Sequence, residues 1–220
     1  WMQTRPETIT EYKVKRLADV GLHRISFGLE HGNEGFRKKL LKREWKNDAI
    51  IKALKIPAHY GVRFSVNNIT GFPTETRELA MDTIELNRHI ESHNQNLYSF
   101  VPFHGTPLRK LCEEMGLVTT DEITKALTDK PMLVQKNYMP EEIEGLQKCF
   151  VYYVKMPKNR WKDIKRAEPD TPEGNRIFEE LRQECLVKNI IGPEDKNNSE
   201  QSGTADLEYG LSATSELDIC

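Results

Sequence analysis

The sequence predicts an α/β protein built on a parallel sheet, part of a (β/α) barrel, with a helical extension and a disordered acidic tail behind it. Three observations carry this. Strand-like runs alternate with helical patterns of about a dozen residues or more, the spacing that parallel strands joined by crossover helices require. The best-defined runs have one apolar face and one small, polar face, whereas an open sheet covered by helices on both sides needs two apolar faces. Polar side chains gather at the strand ends, where barrels collect their chemistry. Strand order alone also fits a doubly wound open sheet; the strand faces favour the barrel.

In chain order, "WMQTRP" reads as the end of a strand. "ETITEYKVKRLADVGL" places Ile9, Val14, Leu17 and Val20 near one helical face, with Thr8 or Thr10 as N-cap and Gly21 as the stop. "HRISFGL" is a strand, followed by helical material across 34–60 that breaks near Arg43 and ends at "HYG". "VRFSVNNITG" is the next strand; "FPTE" is a turn, and "TRELAMDTIELNRHIES" a helix capped by Thr74 or Thr76. "LYSFVPF" is the last strand and "GTPLRKLCEEMGL" the helix after it. Beyond residue 118, "MPEEIEGLQKCFVYYVKMP" and "EGNRIFEELRQECLVKN" are amphipathic helices. These patterns divide the chain into 1–118, the barrel part; 119–191, a helical extension; and 192–220, an acidic tail expected to be disordered.

Composition excludes some functions. With 37% hydrophobic and 30% charged residues the chain has material for a sizeable core. No run reaches the roughly 18 apolar residues of a membrane span. The formal charge of −2 gives no argument for nucleic acid or an acidic membrane as partner. Residues 193–220 hold seven Asp or Glu against Lys196 alone, so 1–192 carry +4 and the tail stands apart. Cys112, Cys149, Cys185 and Cys220 form no CxxC pair, which with the lack of a signal peptide reads as a reducing, cytoplasmic setting. Trp1, arriving mid-strand, leads us to expect a fragment of a longer chain.

Along "ISFGLE", Ile25, Phe27 and Leu29 share one face and Ser26, Gly28 and Glu30 the other; along "RFSVNN", Phe64 and Val66 oppose Arg63, Ser65 and Asn67. Glu30 thus ends a buried strand on a carboxylate, costly unless donors meet it there. Ribose hydroxyls or an amino group would serve, and Arg43 could return to the same mouth with its fork. The plain alternatives are a solvated Glu30 and a solvated Arg43 in "KKLLKRE". His104 in "PFHGTP" and Arg5 stand at other strand ends, either functional or on the surface. His31, His59, His89 and His93 form no metal spacing and read as surface or helix residues.

"ISFGLEHGNEGFRKKLLKR", "GVRFSVNNITGFPTETRELAMDTIELN" and "FVPFHGTPLRKLCEEMGL", in this order, resemble the radical S-adenosylmethionine (radical SAM) enzymes, nearest to the branch associated with a cobalamin-binding domain. "YVKMPKNRWKDIKRAE" resembles their C-terminal segment. The resemblance implies a partial (β/α)6 barrel with strands three to six present. It implies S-adenosylmethionine as ligand, with Glu30 on its ribose or amino end, Arg43 on its carboxylate, Asn67 near the ribose, Ile69 on the adenine and Gly71 allowing close backbone approach. Asn68 is the second choice to Asn67, because an "NIIG" form of the motif would match it. The family holds a [4Fe-4S] cluster on CxxxCxxC and uses its electron to release a 5′-deoxyadenosyl radical; this chain has no such motif. The implied partners are a small-molecule or natural-product substrate and an electron donor such as flavodoxin or ferredoxin, with cobalamin and methyl transfer as a further expectation. The competing expectation is a non-catalytic remnant that binds a nucleotide-like ligand or serves as an interaction module.

Overall fold

A computed structural model describes residues 1–126 and 129–191. Four strands, β1 (Met2–Thr4), β2 (Arg24–Glu30), β3 (Arg63–Thr70) and β4 (Asn94–Ser99), form one sheet in the order β1-β2-β3-β4, every pair parallel. Between and after them lie α1 (Glu11–Asp19), α2 (Glu34–Leu41), α3 (Asn47–His59), α4 (Arg77–Asn87), α5 (Pro107–Glu114), α6 (Pro140–Lys155), α7 (Trp161–Ala167) and α8 (Pro172–Val187). Strand order follows chain order with no reversal. A doubly wound sheet reverses at a switch point, so this is the wall of a partial barrel with a helical C-terminal extension. The tail expected to be disordered, 192–220, lies outside the described residues.

Local chemistry sets the boundaries. Thr10 caps α1, its hydroxyl accepting from the Lys13 amide, and Gly21 behind the helix adopts φ 92°. Lys42 in the left-handed region ends α2 just before Arg43. Thr76 caps α4. The last strand differs from expectation: it covers Asn94–Ser99, and "FVPF" lies wholly beyond it. Its polar start hides it from hydropathy, but tertiary partners satisfy that polarity. Gln95, 4% exposed, donates to the Asn87 and Ile90 carbonyls.

The helix-facing side of the sheet is apolar, as the alternation predicts. Ile25, Phe27, Leu29, Phe64 and Val66 are buried against Ile50 and Leu54 of α3 and Leu86 of α4. The extension does not stand apart, because Ala80 and Ile84 of α4 share a core with α6, α7 and α8. Phe100 donates its amide to Thr70, so parity turns the Leu97 carbonyl to the free edge of β4. Gln147 of α6 donates to that carbonyl, which covers part of the edge.

Candidate functional site

The opposite side of the sheet carries a polar ladder. Ser26 Oγ accepts from Asn67 Nδ2 at 3.0 Å and from Ser65 Oγ at 3.3 Å, and Asn67 Oδ1 accepts from Asn96 Nδ2 at 2.9 Å. Gly28, Asn67 and Asn96 are in register across three strands. Bonded on both sides, the Asn67 amide is fixed in place and still holds one spare N–H and one spare lone pair. Asn68 points the other way. It is fully buried and exchanges side-chain hydrogen bonds with Asn87 of α4, so it is not on this face. Ile69, half-buried on the Asn67 side, packs against the apolar cluster around Phe72 and Phe100.

At the end of β2 the backbone turns sharply. Glu30 has φ 71°, a left-handed conformation uncommon outside glycine, and its carboxylate lies back over Gly28. A Cβ on Gly28 would stand 2.4 Å from Glu30 Oε1, which explains glycine there. Gly28→Ala is therefore expected to displace the Glu30 carboxylate while shifting the unfolding midpoint little, because a side-chain end yields more readily than backbone. Proton chemical shifts of Arg43 and Glu30 would register the displacement; unchanged shifts would refute it.

Arg43 is deeply committed. Its Nε and Nη2 meet both oxygens of Glu7 at 3.0 and 2.9 Å, Nη2 also reaches the Gly28 carbonyl at 3.0 Å, and Nη1 reaches Glu30 Oε1 at 3.3 Å. Glu7 sits in the short turn Pro6–Thr8 after β1 and is a partner that the sequence did not single out. The guanidinium fork is thus filled by a carboxylate of the chain itself, and among the described residues Glu30 Oε2 has no hydrogen-bond partner. The two carboxyls differ in consequence. Burial raises Glu7, but the Arg43 hydrogen bond, a hydrogen bond from its own backbone amide and the Arg43 and Arg5 charges together outweigh it and bring Glu7 below its ordinary value. Burial dominates at Glu30, aided by Glu7's charge and only partly offset by Arg43 and Arg5, so Glu30 is raised.

Beside this trio the structure corrects the reading of His31 as a surface or helix residue. His31 is wholly buried, its Nε2 is 3.0 Å from Glu75 Oε1, and its Nδ1 accepts from the Asn33 amide, which assigns the proton to Nε2. Glu75 is equally buried; its Oε2 accepts from the Gly71 and Phe72 amides and its Oε1 also from Thr70. The pair ties the end of β2 to the turn after β3. Each partner follows a left-handed residue, Glu30 before His31 and Thr74 before Glu75. Gly71 has φ 81°, and its close neighbour is Ile143 of α6, which a Cβ would meet at 2.9 Å. Arg37, 1% exposed, holds the next loop through the His31 and Trp45 carbonyls and Asn47. His104 is exposed in the turn before α5 and joins none of this.

The structure therefore brings Glu30, Arg43 and Asn67 to one side of β2 and β3, adds Glu7, Ser26 and Asn96, and leaves Asn68 behind. Among the described residues no three His, Cys, Asp or Glu side chains stand together as a metal site, and Cys112, Cys149 and Cys185 are buried without disulfide partners.

A sequential parallel wall with a polar inner face and its charged groups at the strand ends is the wall of a β/α-barrel protein. Residues 2–86 match the radical SAM superfamily. An uncharacterized methyltransferase of Pyrococcus horikoshii is 26% identical over 162 residues, 73% of this chain and 35% of that protein. A tRNA-2-methylthio-N(6)-dimethylallyladenosine synthase of Halalkalibacterium halodurans is 30% identical over 117 residues, 52% of this chain and 22% of that one. The chain thus spans about a third or less of these relatives. Among solved structures, the archaeal Elp3 of Methanocaldococcus infernus with an N-terminal deletion aligns with a TM-score of 0.48 at 15% identity, over 86% of this chain and 41% of that one.

Proposed function

We propose that this chain supplies part of the S-adenosylmethionine-binding wall of a radical SAM enzyme that transfers a methyl or methylthio group. The observation that carries the reading is the unspent hydrogen-bonding capacity on the inner face: Glu30 Oε2, one N–H and one lone pair of Asn67, and the remaining N–H of Arg43 Nη1. A ribose or ammonium group suits the first two. Arg43 then acts chiefly by holding Glu30 and Glu7, and a ligand carboxylate must share or displace Glu7 to reach its fork. Ile69 would offer an apolar contact to the adenine, while Gly71 shapes the turn from behind. His104 and Asn68 take no part in this reading.

In this family S-adenosylmethionine, reduced at a [4Fe-4S] cluster, supplies a 5′-deoxyadenosyl radical. The described residues of this chain do not fit such a cluster, so no step is assigned through it here. The names of the relatives support methyl or methylthio transfer, and a tRNA base stands beside a small molecule or natural product as the substrate class. Flavodoxin or ferredoxin would serve as electron donor, and cobalamin as carrier if methyl transfer is the outcome. No helix among the described residues is long and apolar enough to cross a membrane. The second reading is a nucleotide-like ligand-binding module without catalysis.

Equilibrium dialysis of the chain against S-adenosylmethionine is expected to show saturable binding, weakened about tenfold in Glu30→Ala by loss of a charge-assisted hydrogen bond. Equal affinity in both proteins would remove the site assignment. Production of 5′-deoxyadenosine by the full-length protein after anaerobic iron and sulfide reconstitution separates the two readings. The enzyme requires it; the binding module gives none.

A further inference from the structure

On the outer, helix-covered side of the protein, α4, α6 and α7 enclose a groove of about 500 Å³ that the proposed function does not use. It is open to solvent and lined by Arg77, Tyr153, Trp161, Lys162, Lys165 and Arg166 with Met81, and no carboxylate lines it. Behind the wall the buried Glu168 accepts from Arg77, from the Tyr153 hydroxyl and from Lys165 at 2.9 Å. Arg166 has Glu173 at 3.2 Å and Asp163 at 3.9 Å. Two further features leave the groove short of negative charge. Lys162 has no carboxylate partner among the described residues. Arg88, whose guanidinium carbon lies 5.8 Å from the Trp161 ring centre, spends its Nη1 on the backbone carbonyls of Tyr153, Val154 and Met156. Lys158 adds a cation 5.1 Å from the same ring, with Glu85 as its partner.

Two groove residues also keep a buried donor without an acceptor, Arg77 Nη1 and Trp161 Nε1. A buried donor without a partner is rare, and it asks what would satisfy it. Two in one groove, beside the unpaired Lys162, suit an anion with several acceptor oxygens at different angles. A planar carboxylate presents two in one plane; a phosphate presents three or four around a centre and carries more charge.

We infer that this groove is a binding site for a phosphate group, separate from the inner face of the sheet. A phosphate there meets Lys162 and Lys165 at the rim and draws the Arg77 and Trp161 donors toward it through small side-chain rotations. The groove does not distinguish a phosphodiester of a nucleic acid from a free or monoester phosphate, so the test carries both.

The chain has three tryptophans, Trp1, Trp45 and Trp161, so indole N–H resonances of the full chain give three reporters, with Trp161 assigned through Trp161→Phe. Titration with inorganic phosphate at constant ionic strength should shift the Trp161 indole saturably and leave Trp1 and Trp45 in place. Lys162→Glu, on an exposed side chain, should weaken binding about fivefold or more while the fold is retained. A short oligouridylate is the second probe. If it moves the same resonance at lower concentration than phosphate, the site reads a nucleic-acid backbone; if phosphate alone moves it, the site reads a free or monoester phosphate. A Trp161 resonance unmoved by both probes, equal shifts at all three indoles, or affinity unaltered in Lys162→Glu would overturn the inference.

Discussion

Replacing Glu75 by alanine is expected to destabilise the chain by about 3–5 kcal/mol, read as a lower urea midpoint without a change of slope. The size follows from what the side chain holds. One carboxylate, fully out of solvent, accepts from the Gly71 and Phe72 amides, from Thr70 and from His31. Its removal leaves two backbone donors and an imidazole N–H buried without partners, each at the cost of desolvation. The same carboxylate holds left-handed Thr74 and, through His31, the loop behind left-handed Glu30. His31→Ala should cost less, because only one of these donors is lost. In a double-mutant cycle the two changes should couple by about 1–3 kcal/mol. Additive effects would mean that the two loops are held independently.

Arg43→Met is the second large effect, and pH is its diagnostic. The substitution keeps the side-chain volume but leaves Glu7 and Glu30 facing one another without the guanidinium between them. In the native chain the two carboxyls pull stability in opposite directions. Glu7, lowered, contributes stability that is present above 4.5 and lost as the pH falls through its folded value. Glu30, raised, removes stability as the pH climbs from 4.5 through its folded value, because there the folded state holds a proton that the unfolded chain has released. Without Arg43 the Glu7 carboxyl should move up as well, so both carboxyls would disfavour the folded state at higher pH. We expect a deficit of about 2–4 kcal/mol near neutrality that narrows as the solution is acidified toward 4.5. Thermal unfolding of both proteins across that range checks it. A deficit that stays constant with pH would assign Arg43 a packing role and detach it from the charges.

These two expectations also mark the limits of reading the chain as a string. Alternation along "ISFGLE" and "RFSVNN" was enough to separate the helix-facing side of the sheet from the polar side. It put Glu30 and Asn67 together and favoured Asn67 over Asn68, and both readings rest on a period of two that any short strand obeys. Helix stops at Gly21 and near Arg43, and the partial barrel itself, were legible for the same reason, since turn chemistry and periodicity are local. Three features were not. The start of β4 is polar, and only Asn87 and the Ile90 carbonyl, which lie before the strand, make Gln95 a buried residue. His31 looked like one more surface imidazole until packing placed it against Glu75, 44 positions away.

Glu7 was ordinary until the turn after β1 brought it to Arg43, 36 positions on. Periodicity reports which way a side chain faces, and so the sequence could name the inner wall. Which charges meet there depends on strand register and on how each helix returns to the sheet, and those are set by the packing of the whole core. For that reason the carboxylate at the end of β2 could be recognised from residues alone, whereas its partners, and the commitment of Arg43 to Glu7, were decided in three dimensions.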